Sequence, residues 1–388
     1  MNFLGNVKIC LISIRNSSVL LRGIFNIPRG IKSLYSLNID TDGVCLNKLE
    51  YGGEEFLDHQ PYYITSPFAE FFSERKRVEP YIYSVNVESA TIFGSRGAIA
   101  TRNNDLITEL SQEFGKARLD VNKHPIFSRL KKFRKRKLNG TYLFVCAPGS
   151  DTYAHWVFDI LPRLILAKEN GYFASVDKII VSHNNNTFQR ETLNWLCLPK
   201  EKIINIYNNN EICWQLQKVV TITIPSEFNS VTSWVPVKLR AFYSKNTTST
   251  AGSQPEFVFI DRRDHRKVIN PNFYDKLREY GFCVVFSEDI SESNKIHFFE
   301  RTKILVNVYG SGGQNIIYCP VNCINLTIIS KQHLMDSKFI DVFGWTLNNG
   351  GGYRTALLVG EGLGRMDQNW CPINIDLKEF ENFLIQNI

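Results

Sequence analysis

The sequence predicts an α/β protein: two αβα domains with mostly parallel sheets, preceded by a β-rich extension. Three observations carry this. The chain has 388 residues, too many for one domain of about 150 residues. From Thr141 onward, short buried-strand patterns alternate with helical ones, which is the grammar of βαβ units. The polar segment 246–255, whose one apolar residue is Ala251, divides that alternation in two and reads as a linker. The expected boundaries are 1–125 for the extension, 126–248 and 249–375 for the two αβα domains, and 376–388 for a terminal helix.

The elements follow in order. In the extension, 7–14 and 19–24 are short apolar runs, 81–87 alternates apolar with polar residues, and 90–100 reads as two strands around a glycine turn. The run 142–147 is a buried-strand pattern closed by Pro148-Gly149, and a helical pattern follows from Tyr153 to Asn170, stopped by Gly171. Strands at 178–182, 203–206 and 218–224 surround a helix at 188–196. Behind the linker come strands at 257–260, 283–286, 304–308 and 323–329, with helices at 271–280, 291–301 and from Gly313. The glycine-rich segments 350–353 and 360–364 read as loops, and 376–386 as a helix with apolar residues at 377, 380, 383 and 384.

Composition excludes several classes. Hydrophobic residues at 44% with 21% charged residues exclude wholesale disorder. Nine cysteines, scattered and never in a CxxC pair, argue against a disulfide scaffold and a zinc ribbon, and read as buried thiols in a reducing compartment. No apolar run approaches about 18 residues, and the first residues lack the long apolar core of a signal peptide, so a cytoplasmic protein is expected.

The formal net charge is +7, and seven basic residues with no acid fall within 129–137. That run reads either as a solvated linker or as a contact with an anionic surface, lipid headgroups or an acidic polymer. Nucleic acid is not expected as a partner, because no helix-turn-helix, RNA-recognition or zinc-finger pattern accompanies the run.

Three constellations carry chemistry. In the first, His155 and Asp159 stand i, i+4 at a helix start after a strand, so a carboxylate can hold or tune an imidazole for general acid/base work. In the second, Arg262, Arg263, Arg266 and Lys267 follow a strand, and arginine forks suit phosphate oxygens. In the third, Gly310-Ser311-Gly312-Gly313-Gln314-Asn315 joins a strand to a helix, where backbone N–H groups and the helix dipole favour an anion. Each also has a plain structural reading, as a core hydrogen bond, a solvated loop and a turn. The glycines complete neither a dinucleotide fingerprint nor a P-loop. Ligands of open α/β sheets bind at carboxyl strand ends, where all three fall, so two domains facing a cleft suggest a two-substrate enzyme.

Together these motifs resemble glycosyltransferase family 61. His155-Trp156-Val157-Phe158-Asp159-Ile160-Leu161-Pro162-Arg163 matches the family's H-W-x-x-D-x-L-P-R helix, 261–267 its arginine loop, and 309–315, in part, its H-G-A-G-L-T-N turn. Tyr309 stands where the family has His, Asn294-Lys295 where it has Glu-Gln, and Asn325 where it has a Glu. The resemblance implies a GT-B fold of two Rossmann-like domains, acceptor side first and donor side second, with the terminal helix folding back toward the first. It implies an inverting, metal-independent transfer from a nucleotide-sugar donor to an oligosaccharide or lipid-linked glycan. In bacterial members that acceptor belongs to a capsule or lipopolysaccharide O-antigen. Asp159 is expected as base with His155 as its partner or substitute, and Trp156 and Arg163 on the acceptor side. Arg262, Arg263, Arg266, Lys295, Gly310, Ser311, Gly312, Gly313 and Asn315 are expected on the donor phosphates. No cofactor and no metal are expected, since arginines and a helix dipole can offset the leaving charge. The alternatives are a sugar-nucleotide epimerase or hydrolase of the same architecture, and a catalytically degenerate member that binds glycan or acts as a scaffold.

Overall fold

The structure, a computed structural model, describes residues 12, 13, 16, 18–114, 120–225, 230–247, 252–336, 342–363 and 371–388. The chain divides into two compact units, 1–51 with 81–228 and 52–80 with 229–388.

The first unit is built on a ten-stranded sheet. Its parallel part runs in space Cys213–Ile222, Arg136–Val145, Lys178–Val181, Ile203–Asn205. In chain order the first and fourth of these strands lie side by side, so the winding reverses between Arg136–Val145 and Cys213–Ile222. Residues 142–145 and 219–222 are buried throughout, as parallel strands covered on both faces require.

The front of the chain joins this sheet. Tyr83–Glu88 and Thr91–Phe93 pair antiparallel with Cys213–Ile222, and Thr91–Phe93 forms a hairpin with Ala98–Ala100. The structure therefore draws the domain boundary elsewhere than at residue 125: an open strand edge offers unpaired N–H and C=O groups, and residues 83–93 satisfy them. Val19–Ile24, read as a strand-like apolar run, is a helix, because the Ser18 hydroxyl accepts the Leu21 N–H at 3.3 Å and caps it. Of the apolar run 7–14, all but 12 and 13 lies outside the described residues.

The second unit carries a seven-stranded sheet whose five long parallel strands run Cys283–Phe286, Phe257–Asp261, Ile304–Val308, Ile324–Ser330, Arg354–Gly362. In chain order this is second, first, third, fourth, fifth, the order of a doubly wound sheet with its switch point between Phe257–Asp261 and Ile304–Val308. Segment 52–80 belongs here: Tyr63–Ile64 pairs parallel with Ala356 and Leu357, and Phe72 packs edge-on to Trp345 at 5.7 Å. So does the helix Trp234–Asn246, whose buried Tyr243 meets the Tyr318 ring at 4.8 Å. Residues 248–251 of the polar segment lie outside the described residues.

One reading of the sequence is corrected here. The glycine-rich segment around Gly360 is no loop but part of the strand Arg354–Gly362, buried along most of its length. Gly360 is there because a Cβ would come within 2.6 Å of the Asn374 carbonyl on the neighbouring strand. The terminal helix Leu377–Asn387 packs within the second unit. Its single apolar stripe fills the core of the second unit, where Phe380, Phe383 and Leu384 are wholly buried and Phe380 meets Phe273 at 5.3 Å. Among the described residues, no helix is long and apolar enough to cross a membrane.

Candidate active site

In the first unit the motif helix leaves the first parallel strand beside the switch point. Gly149 makes the turn with φ +71°, and a Cβ there would lie 2.6 Å from the His155 ring. The helix is irregular: a short turn Tyr153–His155, a wide π-helical turn Trp156–Ile160, then Leu161–Glu169. Pro162 explains the wide turn. It has no N–H to give to the carbonyl four residues back and its ring crowds that carbonyl, so the ladder opens just before it.

Across this turn His155 Nδ1 donates to Asp159 Oδ2 at 2.7 Å. An ionised carboxylate only accepts, so Nδ1 carries a proton, and in the neutral imidazole the lone pair is on Nε2. The side chain of Asp159 is 9% exposed and that of His155 28%. The imidazole is therefore the member of the pair that meets solvent, and the ring of Phe114 covers it at 4.8 Å.

In the second unit the two anion motifs meet. The arginine loop follows Asp261 and the glycine turn follows Val308, so both leave the strands that flank the switch point. Arg262 Nε and Nη2 donate to the two oxygens of Asp264 at 3.1 and 2.8 Å, and Arg266 Nε and Nη2 donate to Oδ2 at 2.9 and 2.6 Å. One carboxylate thus holds two guanidiniums. Partial burial pushes the Asp264 carboxyl up, but the hydrogen bonds from Arg262 and Arg266 outweigh it and hold the carboxyl well below the usual aspartate range.

Gly310 takes φ +143°, and a Cβ there would collide with Arg262 Nη1. The glycine is what lets the guanidinium lie over the turn. The helical turn Ser311–Tyr318 follows, and a Cβ on Gly313 would come within 2.7 Å of Asn307 Oδ1. Asn315 is buried and ties the turn down, donating to Gly312 O at 2.7 Å and Ser287 Oγ at 2.9 Å. Arg263 points another way, onto Glu288 at 2.9 Å and Asp289 at 2.6 Å.

Further along the same carboxyl edge, after Ile324–Ser330 and beside Arg354–Gly362, lies a cavity of about 620 Å³. Phe68, Phe71, Glu70, Glu361 and Lys331 are among the residues that line it. Tyr309, in the family's His position, packs its ring on His333 at 4.4 Å.

Three expected site residues turn out to be structural. Trp156 is wholly buried and donates its indole N–H to Thr192 Oγ1 at 3.0 Å, so it faces no acceptor. Arg163 is 2% exposed and donates to Ile222 O at 2.7 Å, Cys146 O at 3.0 Å and Thr221 Oγ1 at 2.9 Å, bridging the two strands of the switch point. Lys295 is 2% exposed and bonds Glu292 at 2.6 Å inside the fold, so it cannot meet a phosphate. Asn325 lies at the amino end of its strand, accepting from Asn307 Nδ2 at 2.7 Å and donating to Asn348 Oδ1 at 3.1 Å, away from the ligand edge.

Sequence reasoning missed Asp264 as the organiser of the arginines and Phe114 as the cover of His155. Asp264 stands between the two arginines it binds, a legible signal; Phe114 is distant in sequence and left none. Among the described residues no three His, Cys, Asp or Glu side chains converge as a metal site would require.

The imidazole on its carboxylate in one unit, and the paired arginines over the glycine turn in the other, both lie within the stretch that a glycosyltransferase family model matches. Residues 153–326 match the family model described as Glycosyltransferase 61, and the chain carries that family's domain from the His155 helix to the strand after the glycine turn. No curated protein matches the chain.

Proposed function

We propose that the protein is an inverting glycosyltransferase of GT-B type. It would move a sugar from a nucleotide-sugar donor to a bacterial surface glycan, a capsule or O-antigen acceptor. The observation that supports this best is the placement of both motifs at the switch points of their own sheets, where open α/β folds bind ligands.

In this reading His155 Nε2 takes the proton from the acceptor hydroxyl as its oxygen attacks the anomeric carbon. Asp159 holds the tautomer and steadies the imidazolium that forms. The burial of Asp159 favours this division of labour over Asp159 as the base. The bond from the anomeric carbon to the diphosphate breaks on the opposite face, which inverts the configuration. Arg262 and Arg266, with the N–H groups of Gly310, Ser311, Gly312 and Gly313, offset the charge on the leaving diphosphate. That counter-charge needs neither a metal nor a cofactor.

The test is incubation of the protein with a panel of nucleotide sugars, with and without oligosaccharide acceptors, and product analysis by NMR. Acceptor-dependent release of nucleoside diphosphate with an inverted anomeric centre is expected. Turnover of donor alone, giving an isomerised sugar nucleotide, would instead identify an epimerase. Tyr309 in place of the family's His favours a second reading, a non-catalytic glycan-binding member, which glycan binding without turnover on any donor would establish.

A further inference from the structure

The helix Val19–Ile24 is unusual for a soluble protein. Four of its six residues are apolar, yet none is buried; Val19 is 60% exposed, Leu20 75% and Ile24 50%. So short a helix is marginal by itself and normally persists by burying an apolar stripe. Leu20 and Ile24, four apart, share a face that points to solvent.

The structure ties the residues that directly follow this helix to the basic run. Phe133 donates its N–H to Phe25 O at 3.1 Å, and Asn26 Nδ2 donates to Phe133 O at 2.7 Å. The Arg22 guanidinium lies 5.2 Å from the Phe127 ring centre. Phe133 is buried in the cluster with Ile27, Phe93 and Phe127, which anchors the run. Around it Lys131, Lys132, Arg134, Lys135, Arg136 and Lys137 are exposed, as are Arg29 and, at 37%, Leu130. Glu211 pairs with Arg129 and Lys131 at this surface.

We propose that this surface docks on an anionic lipid bilayer, with Leu20 and Ile24 entering the acyl boundary and the 131–137 cations meeting phosphate headgroups. Either signal alone gives weak, reversible binding; apolar insertion joined to basic charge gives a stable peripheral contact. The apolar helix is what decides for a bilayer over a soluble acidic polymer, which has no apolar phase to receive it. The proposal is independent of the transfer reaction, and vesicle binding is measured with no sugar donor present.

The test is flotation of the full chain with phosphatidylcholine vesicles, with and without phosphatidylglycerol, at low and high salt. Binding should require phosphatidylglycerol and fall with salt. Lys132→Ala with Arg134→Ala should lower the partition coefficient about fivefold per charge. Leu20→Ser with Ile24→Ser should lower it at least tenfold. All four side chains are exposed, so the melting temperature should not move, and a melt checks folding. Absence of binding to phosphatidylglycerol vesicles overturns the proposal. So does binding that the charge variants weaken but the serine variants leave intact, which is the behaviour of an acidic-polymer site. Self-association through the helix without lipid, abolished by the serine variants, overturns it in favour of a second copy.

Discussion

Arg262 forks onto Asp264 through two hydrogen bonds, Nε to Oδ1 at 3.1 Å and Nη2 to Oδ2 at 2.8 Å, while Arg266 shares the same carboxylate. Charge counting and geometry make opposite forecasts for this arrangement. Removing the carboxylate adds a positive charge to the clamp and should tighten an anion by simple attraction. It also frees both guanidiniums to leave the glycine turn.

The fixed fork should win, because bidentate geometry is what an arginine site loses first. Asp264→Asn is expected to weaken binding of pyrophosphate and of nucleoside diphosphates about tenfold, measured by calorimetric titration. Tighter binding in that variant would show that Asp264 merely dilutes the charge.

The same carboxyl sets a pH window. Its folded pKa is depressed, so the stability it contributes is fully present above the ordinary aspartate value of about 4 and is lost only as pH falls through the lower folded value. Pyrophosphate affinity in the wild type should therefore not decline through protonation of Asp264 between neutrality and about pH 4. A midpoint between neutrality and about pH 4 that is present in the wild type and absent from Asp264→Asn would contradict this.

His155→Ala should cut kcat by about 10²–10⁴ while donor affinity stays near the wild-type value, since a general base acts in the chemical step. Asp159→Asn should fall in the same range, because an amide can hold the imidazole in the wrong tautomer. Steady-state kinetics at saturating donor, set beside a donor titration, separates the two quantities. Undiminished turnover in either variant removes the dyad from the mechanism.

Gly310→Ala places a Cβ against Arg262 Nη1 in a backbone region that only glycine enters readily. A stability loss of about 1–3 kcal/mol is expected, together with weaker diphosphate binding as Arg262 is pushed off the turn. Urea unfolding gives the first and calorimetry the second. A fully stable variant with unchanged affinity would mean that the turn and the arginine act separately.

Lys295→Met tests whether Lys295 belongs to the site or to the core. Breaking its buried pair with Glu292 should cost about 3–5 kcal/mol. Protein that remains folded should keep its affinity for pyrophosphate. A selective loss of affinity at normal stability would return Lys295 to the phosphates.

Much of this was legible along the chain because it is local. The spacing of His155 and Asp159 fixes one helical face, and the strand patterns at 142–147, 257–260 and 304–308 mark the carboxyl ends from which the motifs leave. Burial is not local, and there the sequence misled. Trp156 and Arg163 sit in the same motif as His155, yet they lie in the core while the imidazole meets solvent. Gly360 reads as a loop residue because nothing near it in sequence announces that the Asn374 carbonyl lies against it.

The amino-acid order by itself determined which side chains can do chemistry and the βαβ grammar that carries them to strand ends, since periodicity and turn residues act over a few positions. The tertiary structure alone decided which strands flank each switch point, that residues 83–93 complete the first sheet, and that the terminal helix fills the second unit's core. It also decided that Arg262 lies over Gly310, 48 positions further along the chain. Those outcomes depend on which distant surfaces exclude water together and which open strand edges find partners, and no short stretch of sequence encodes either.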